Sequence, residues 1–225
     1  MIAPYTLALH GVMAILSLIS LVHLFYKKFD TNSKTFDAYV NWFLFFFLYN
    51  LFLVFPLIFF RELDFSASLI YVLALICLAI AAWNAFKVSL NIFGLNENSK
   101  KVVLFLYIFG AMLSAVAHLY ASKVPELSPD GKWVFWYDSN LVSSAYVFIM
   151  FVAGFAFAAS MIHGFLTIRS NLLKTKSILI FLGSFSLPFA VFYYFMATEI
   201  AHIYMAFLFS PIPCGLPQGY LSSPC

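Results

Sequence analysis

Charge is what this sequence has least of. Only 9% of its 225 residues are Asp, Glu, Lys or Arg, and 64% are hydrophobic. A soluble globular domain carries roughly 25% charged residues. So few charges cannot cover a water-facing surface, so lipid takes the place of water as solvent, and 225 residues fit one membrane domain with little room for a soluble one. The mean hydropathy of +0.97 agrees. The 12 basic and 9 acidic residues leave a net charge of +3, too small and too scattered to indicate a nucleic-acid partner. Walker, G-x-G-x-x-G, H-E-x-x-H and C-x-x-C motifs are missing, which removes the common soluble enzyme signatures. The seven methionines form no Met-x-x-Met pair of the kind a copper-transfer site would use. Cysteine is scarce. Cys77 lies in an apolar run and reads as a small hydrophobe, while Cys214 and Cys225 in the polar tail would form a disulfide only in an oxidising compartment.

What is present is apolar chain in long runs. A hydrocarbon core of about 30 Å needs about 20 apolar residues as helix. Six runs qualify: Ile2 to Tyr26, Ala38 to Phe60, Phe65 to Leu90, Val102 to Ala121, Leu141 to Ile168, and Ser177 to Phe209. The last is over-long for one crossing and contains Pro188, which can kink it. The expected fold is therefore all-α, a polytopic bundle of six transmembrane helices over residues 1–210 with an extracytoplasmic polar tail at 211–225.

The connections set the orientation. One set carries Lys27, Lys28, Lys34, Lys87, Lys100, Lys101, Arg169, Lys174 and Lys176, against Arg61, Lys123 and Lys132 in the other. The positive-inside rule then puts both termini outside. The first run lacks a basic leader and is followed by Lys27 and Lys28, so it reads as a retained span and not a cleaved signal. An integral protein of a prokaryotic cytoplasmic membrane is expected. In the outer connection, Pro-Asp-Gly signals a turn, and the aromatics of Lys132–Tyr137 are expected at the lipid–water boundary. The Phe-rich second run (Phe43, Phe45, Phe46, Phe47) reads as lipid-facing. Asn41, Asn50 and Asn84 are expected to join helices by hydrogen bonds.

Polar groups at membrane depth cost free energy, so they mark function. All five histidines, His10, His23, His118, His163 and His202, lie in or at the ends of the apolar runs. Depth sorts them into an outer layer (His10, His118, His202) and an inner one (His23, His163). His10 and His23 are 13 residues apart, about 20 Å of helix rise.

Two imidazoles from facing helices suit the axial positions of haem iron. The leading expectation is thus a b-type cytochrome-like electron carrier binding haem b. His23 and His163 would hold an inner haem, and His10 with His118 or His202 an outer one. Gly11, Gly110, Ala117 and Gly164 would give the macrocycle room. Against this, 13 residues rotate His23 by about 140° from His10 on a straight helix.

A second expectation is an outer metal or proton site built from His10, His118, Glu199 and His202, suited to copper, zinc or iron, with Ser114 orienting His118. Glu199 is the only acidic residue in the six runs and shares a helical face with His202. The plain alternative is that both are hydrated at the outer interface. Quinone and other membrane or extracytoplasmic subunits are the partners implied. The rival reading is a small transporter or an accessory subunit of a larger membrane complex with no cofactor, its histidines incidental. A retinal protein is excluded because the sixth run has no lysine at depth.

Overall fold

A computed structural model describes residues 3–28, 34–60, 62–94, 96–121, 124–136 and 140–167, with isolated positions from there to 189. Five helices dominate: α1 (Pro4–Lys28), α2 (Lys34–Phe59), α3 (Phe65–Ile92), α4 (Glu97–Ala121) and α5 (Asn140–Thr167). Their limits fall within a few residues of the first five apolar runs. Three of them, α1 to α3, are long and apolar enough to cross a membrane. The sixth run lies largely outside the described residues, as do the tail and its two cysteines.

Helix ends follow from local chemistry. Asp64 caps α3, its carboxylate accepting from the Ser66 and Ala67 amides at 2.9 and 3.3 Å. At the far end Gly94 adopts φ +66° and its N–H reaches the Asn91 carbonyl, a left-handed stop that glycine makes at little cost. Asn96 then caps α4 by accepting from the Ser99 amide at 2.8 Å. Lys100 bridges back to Asn91 and Glu97 at 3.0 and 3.1 Å. The α3–α4 corner is thereby fixed on the lysine-rich side.

α3 is the central element and packs on α2, α4 and α5, while α1 packs on the other side of α2. Ala67, Ala74 and Ala81, spaced by seven and fully buried, leave room for close helix approach. Tyr49, Leu53 and Leu57 of α2 meet Tyr71, Leu75 and Leu78 of α3 in the main core cluster. Tyr107 anchors α4 by donating to the Ala79 carbonyl at 3.0 Å. The Phe-rich stretch of α2 is half-buried and not simply lipid-facing: Phe45 and Phe46 pack on the core, and Trp42 meets Phe157 of α5 edge-on at 5.1 Å. Asn41 is exposed.

The surface runs opposite to that of a soluble protein. Val12, Ile15, Ile19 and Val22 of α1, Leu69, Leu73 and Ile76 of α3, and Phe105, Phe109, Met112 and Leu113 of α4 all face outward, whereas Thr6, His10, Ser17, Asn50, Asn84 and Ser89 are buried. Apolar side chains outside and hydrogen-bonded polar ones inside are what hydrocarbon surroundings favour.

The chain is not purely helical. Between α4 and α5, β1 (Glu126–Leu127) and β2 (Val134–Phe135) form a small antiparallel hairpin, Glu126 opposite Phe135. Its turn is the Pro-Asp-Gly segment: the Gly131 amide reaches the Ser128 carbonyl at 2.8 Å, Gly131 takes φ +68°, and the Ser128 hydroxyl bonds Asp130. The described aromatics of Lys132–Tyr137 pack into the protein and do not present their faces outward, and Tyr137 lies outside the described residues. Trp133, Val134, Phe135 and Trp136 are all buried. Trp136 stacks on Tyr71 of α3 at 5.0 Å, and Trp133 meets Tyr5 of α1 edge-on at 5.5 Å. The reason is tertiary. The amino end of α1 exposes unpaired amides, and the hairpin satisfies them, the Lys132 carbonyl accepting from Tyr5 and Thr6 at 3.1 and 3.4 Å. In return Thr6 Oγ1 accepts from the Val134 amide at 3.0 Å.

Candidate functional site

The buried stripe of α1 runs Thr6, His10, Ala14, Ser17, Leu21, Leu24, steps of three and four that keep one helical face against α2. His10 belongs to this stripe and is 4% exposed. It sits one turn inside Thr6, and hence one turn below the hairpin. Its Nδ1 lies 3.0 Å from Oδ1 of Asn50 on α2, a buried contact across 40 residues of sequence. Asn50 Nδ2 in turn donates to the Phe46 carbonyl at 2.8 Å. The Tyr49 ring stands edge-on to the imidazole, with centroids 6.1 Å apart. A chain of hydrogen bonds thus runs from the α2 backbone through Asn50 to the His10 ring, under a hairpin that closes the same end of the helices.

The other histidines are placed differently. His23 is half-buried and off the stripe, as its angular offset from His10 requires. His163 is exposed on α5, with Phe93 at 6.1 Å between ring centroids. The helices that carry His23 and His163 pack on different partners, α1 on α2 and α5 on α3 and α4. His118 lies on α4, but its side chain, like that of Ser114, is outside the described residues, and so are Glu199 and His202. Of the three histidines with described side chains, His10, His23 and His163, His10 is the one in a hydrogen-bonded interior. Among the described residues, no group of three or more His, Cys, Asp or Glu side chains converges as a metal cluster. A Cβ added at Gly11 would meet no described atom within 4 Å, so close helix contact does not explain that glycine.

Asn50 is the site residue that sequence reading undervalued, assigning it only to general helix joining. An asparagine amid Phe46, Leu48, Tyr49, Leu51 and Phe52 was the available signal, since a buried amide in an apolar run must find partners. Asn84, on α3, bonds within its own helix to the Ile80 carbonyl at 2.8 Å. Cys77 is buried and carries a free thiol. Lys87 reaches outward with its ammonium 6.0 Å from the Trp83 ring centroid, as a snorkelling lysine does.

The chain matches no protein-family model, no curated protein and no solved structure.

Proposed function

We propose that the chain is a six-helix integral membrane protein with both termini outside, and that it acts in a prokaryotic cytoplasmic membrane as a b-type cytochrome-like electron carrier in which His10 is a ligand on the outer side. The observation that carries this reading is the burial of His10 on the packed face of α1 with one ring nitrogen held by Asn50. A metal-ligating imidazole characteristically has its second nitrogen tied to a fixed acceptor. Burying a histidine and an asparagine together desolvates both, and the bond between them joins α1 to α2 as well as orienting the ring.

When bound, haem b would supply the one-electron chemistry, and the protein's part is ligation, burial and spacing. His118 and His202 remain the candidates for the opposite axial position, and His23 with His163 for an inner haem. Short connections leave no soluble catalytic domain within residues 1–167, so quinol on one side and an extracytoplasmic or membrane subunit on the other are the partners this role needs. A transition metal held by His10, His118, Glu199 and His202 is the variant of the same reading.

The test is the absorption spectrum of the full-length protein purified in detergent. A Soret band that sharpens with dithionite is expected, and His10→Ala should remove the outer haem's share of it. His23→Ala and His163→Ala should each remove the same second haem, and an unchanged spectrum in both would end the inner pairing. A colourless preparation free of copper, zinc and iron would overturn the cofactor role. The second reading, an accessory subunit or small transporter without cofactor, draws support from the exposed position of His163 and from the outward apolar face of α4. Co-purification of colourless protein with a larger assembly would establish the accessory form.

A further inference from the structure

We propose that Asn50 is the positioning residue of His10, fixing the imidazole with its proton on Nδ1 and its lone pair on Nε2. The ligand role rests on the reading above; the placement of the proton does not.

The argument starts from the amide. Asn50 Nδ2 lies 2.8 Å from the Phe46 carbonyl oxygen, and only the NH2 group can donate there. The opposite orientation would set two acceptor oxygens against each other in a buried site. The amide is therefore fixed, and the atom facing the imidazole is Oδ1, which only accepts. His10 Nδ1, 3.0 Å away, must then donate. A neutral imidazole carries a single N–H, so its second nitrogen keeps the lone pair. Asn50 is itself fixed, because its partner Phe46 is one turn away on the same helix, and the i−4 carbonyl moves only if α2 moves. The Tyr49 ring, edge-on at 6.1 Å, limits rotation of the imidazole. The unit is also polarised in one direction: the Phe46 carbonyl draws on the amide, and the amide oxygen draws on the ring N–H, which makes Nε2 a stronger electron donor.

Ring-nitrogen NMR of the full chain labelled with 15N-histidine, in lipid nanodiscs and free of cofactor, reads the tautomer directly. His10→Gln identifies the His10 signals. The expected result is a protonated Nδ1 and an unprotonated Nε2, with the preference lost in Asn50→Leu and kept in Asn50→Asp, which retains an acceptor oxygen. A proton on Nε2 in the wild type, or an Nδ1–H preference untouched by Asn50→Leu, would overturn the proposal; the wild-type spectrum decides even if that variant fails to fold. Haemin titration then separates the two ideas. Affinity should fall roughly 10–100-fold in Asn50→Leu and recover in Asn50→Asp. Equal affinity in wild type and Asn50→Leu would remove Asn50 from the site while leaving the cofactor role standing. An Nδ1–H ring in a protein that takes up neither haemin nor zinc would remove the cofactor role while leaving the proton where Asn50 puts it.

Discussion

Thr6 shows how much a single hydroxyl can hold. It is 2% exposed, and its Oγ1 is the acceptor for the Val134 amide. Thr6→Val keeps the shape and leaves that amide buried without a partner, at a cost of about 1–3 kcal/mol. Thermal unfolding in detergent should show a lowered midpoint for Thr6→Val and a nearly unchanged one for Thr6→Ser. Neither this bond nor the His10–Asn50 contact is legible in sequence, because the partners stand 128 and 40 residues apart and a polar residue in an apolar run does not announce which helix it faces. Residue type and the helix that carries each of His10, His23, His118 and His163 were legible. His10 lies one turn from Thr6 and the hairpin, toward the amino end of α1. Which histidines face inward was only partly so. The angle between His10 and His23 correctly set them on different faces, whereas the exposure of His163 depends on how α5 rotates against α3.

At the scale of elements, the helices were readable because each apolar run is bounded by charge or by a turn residue: Lys27 and Lys28, Asp64, Gly94 and Asn96. The hairpin was readable as a turn and not as a packed element. Pro-Asp-Gly specifies the reversal locally, but burial of Trp133 and Trp136 depends on the unpaired end of α1 and on the Tyr71 ring. Two predictions belong to the turn. A Cβ at Gly131 would meet no described atom within 4 Å, so Gly131→Ala is penalised by backbone conformation alone, about 1–2 kcal/mol; Gly131→Asn should cost less. Unfolding midpoints of the two variants check the order. The second concerns Asp130, whose carboxyl is held below its ordinary range, first by the Ser128 hydroxyl and then by the Lys132 amide. A depressed carboxylate stabilises the turn above its unfolded value of about 3.9 and loses that contribution as pH falls through the lower folded value. Hydrogen exchange at the Lys132 and Gly131 amides should therefore lose protection, relative to the α3 amides, as the medium is acidified below about pH 4, and Asp130→Asn should remove this pH dependence.

For the whole molecule, the outward apolar faces separate a lipid solvent from a watery one. Leu73 on α3 is 49% exposed. On a water-facing helix Leu73→Lys would be close to neutral. Against hydrocarbon, a mid-helix lysine costs about 2.5–3.5 kcal/mol on insertion scales. A translocon insertion assay of the α3 segment should show a marked fall in inserted product for Leu73→Lys and little change for Lys87→Ala, which lies where its ammonium already reaches outward. Sidedness has its own test. In a background with the native cysteines replaced by serine, Lys132→Cys should react with a membrane-impermeant maleimide added outside, and Lys100→Cys should react only after the membrane is opened. The reverse pattern would invert the orientation drawn from the lysine-rich connections.

The clasp between the amino end of α1 and the strand that precedes α5 also orders events during synthesis. Tyr5 and Thr6 leave the ribosome long before Lys132 and Val134, and at about 5–20 residues per second the wait is roughly 6–25 s. Until then the first helix has no acceptor for its leading amides other than water or lipid headgroups, so its seating against the second helix is provisional. A nascent chain arrested before residue 134 should therefore hold its first span loosely and expose it to protease at its amino end. One that has passed that residue should protect it, which makes the closing of this fold a late step although one side of the clasp is made long before the other.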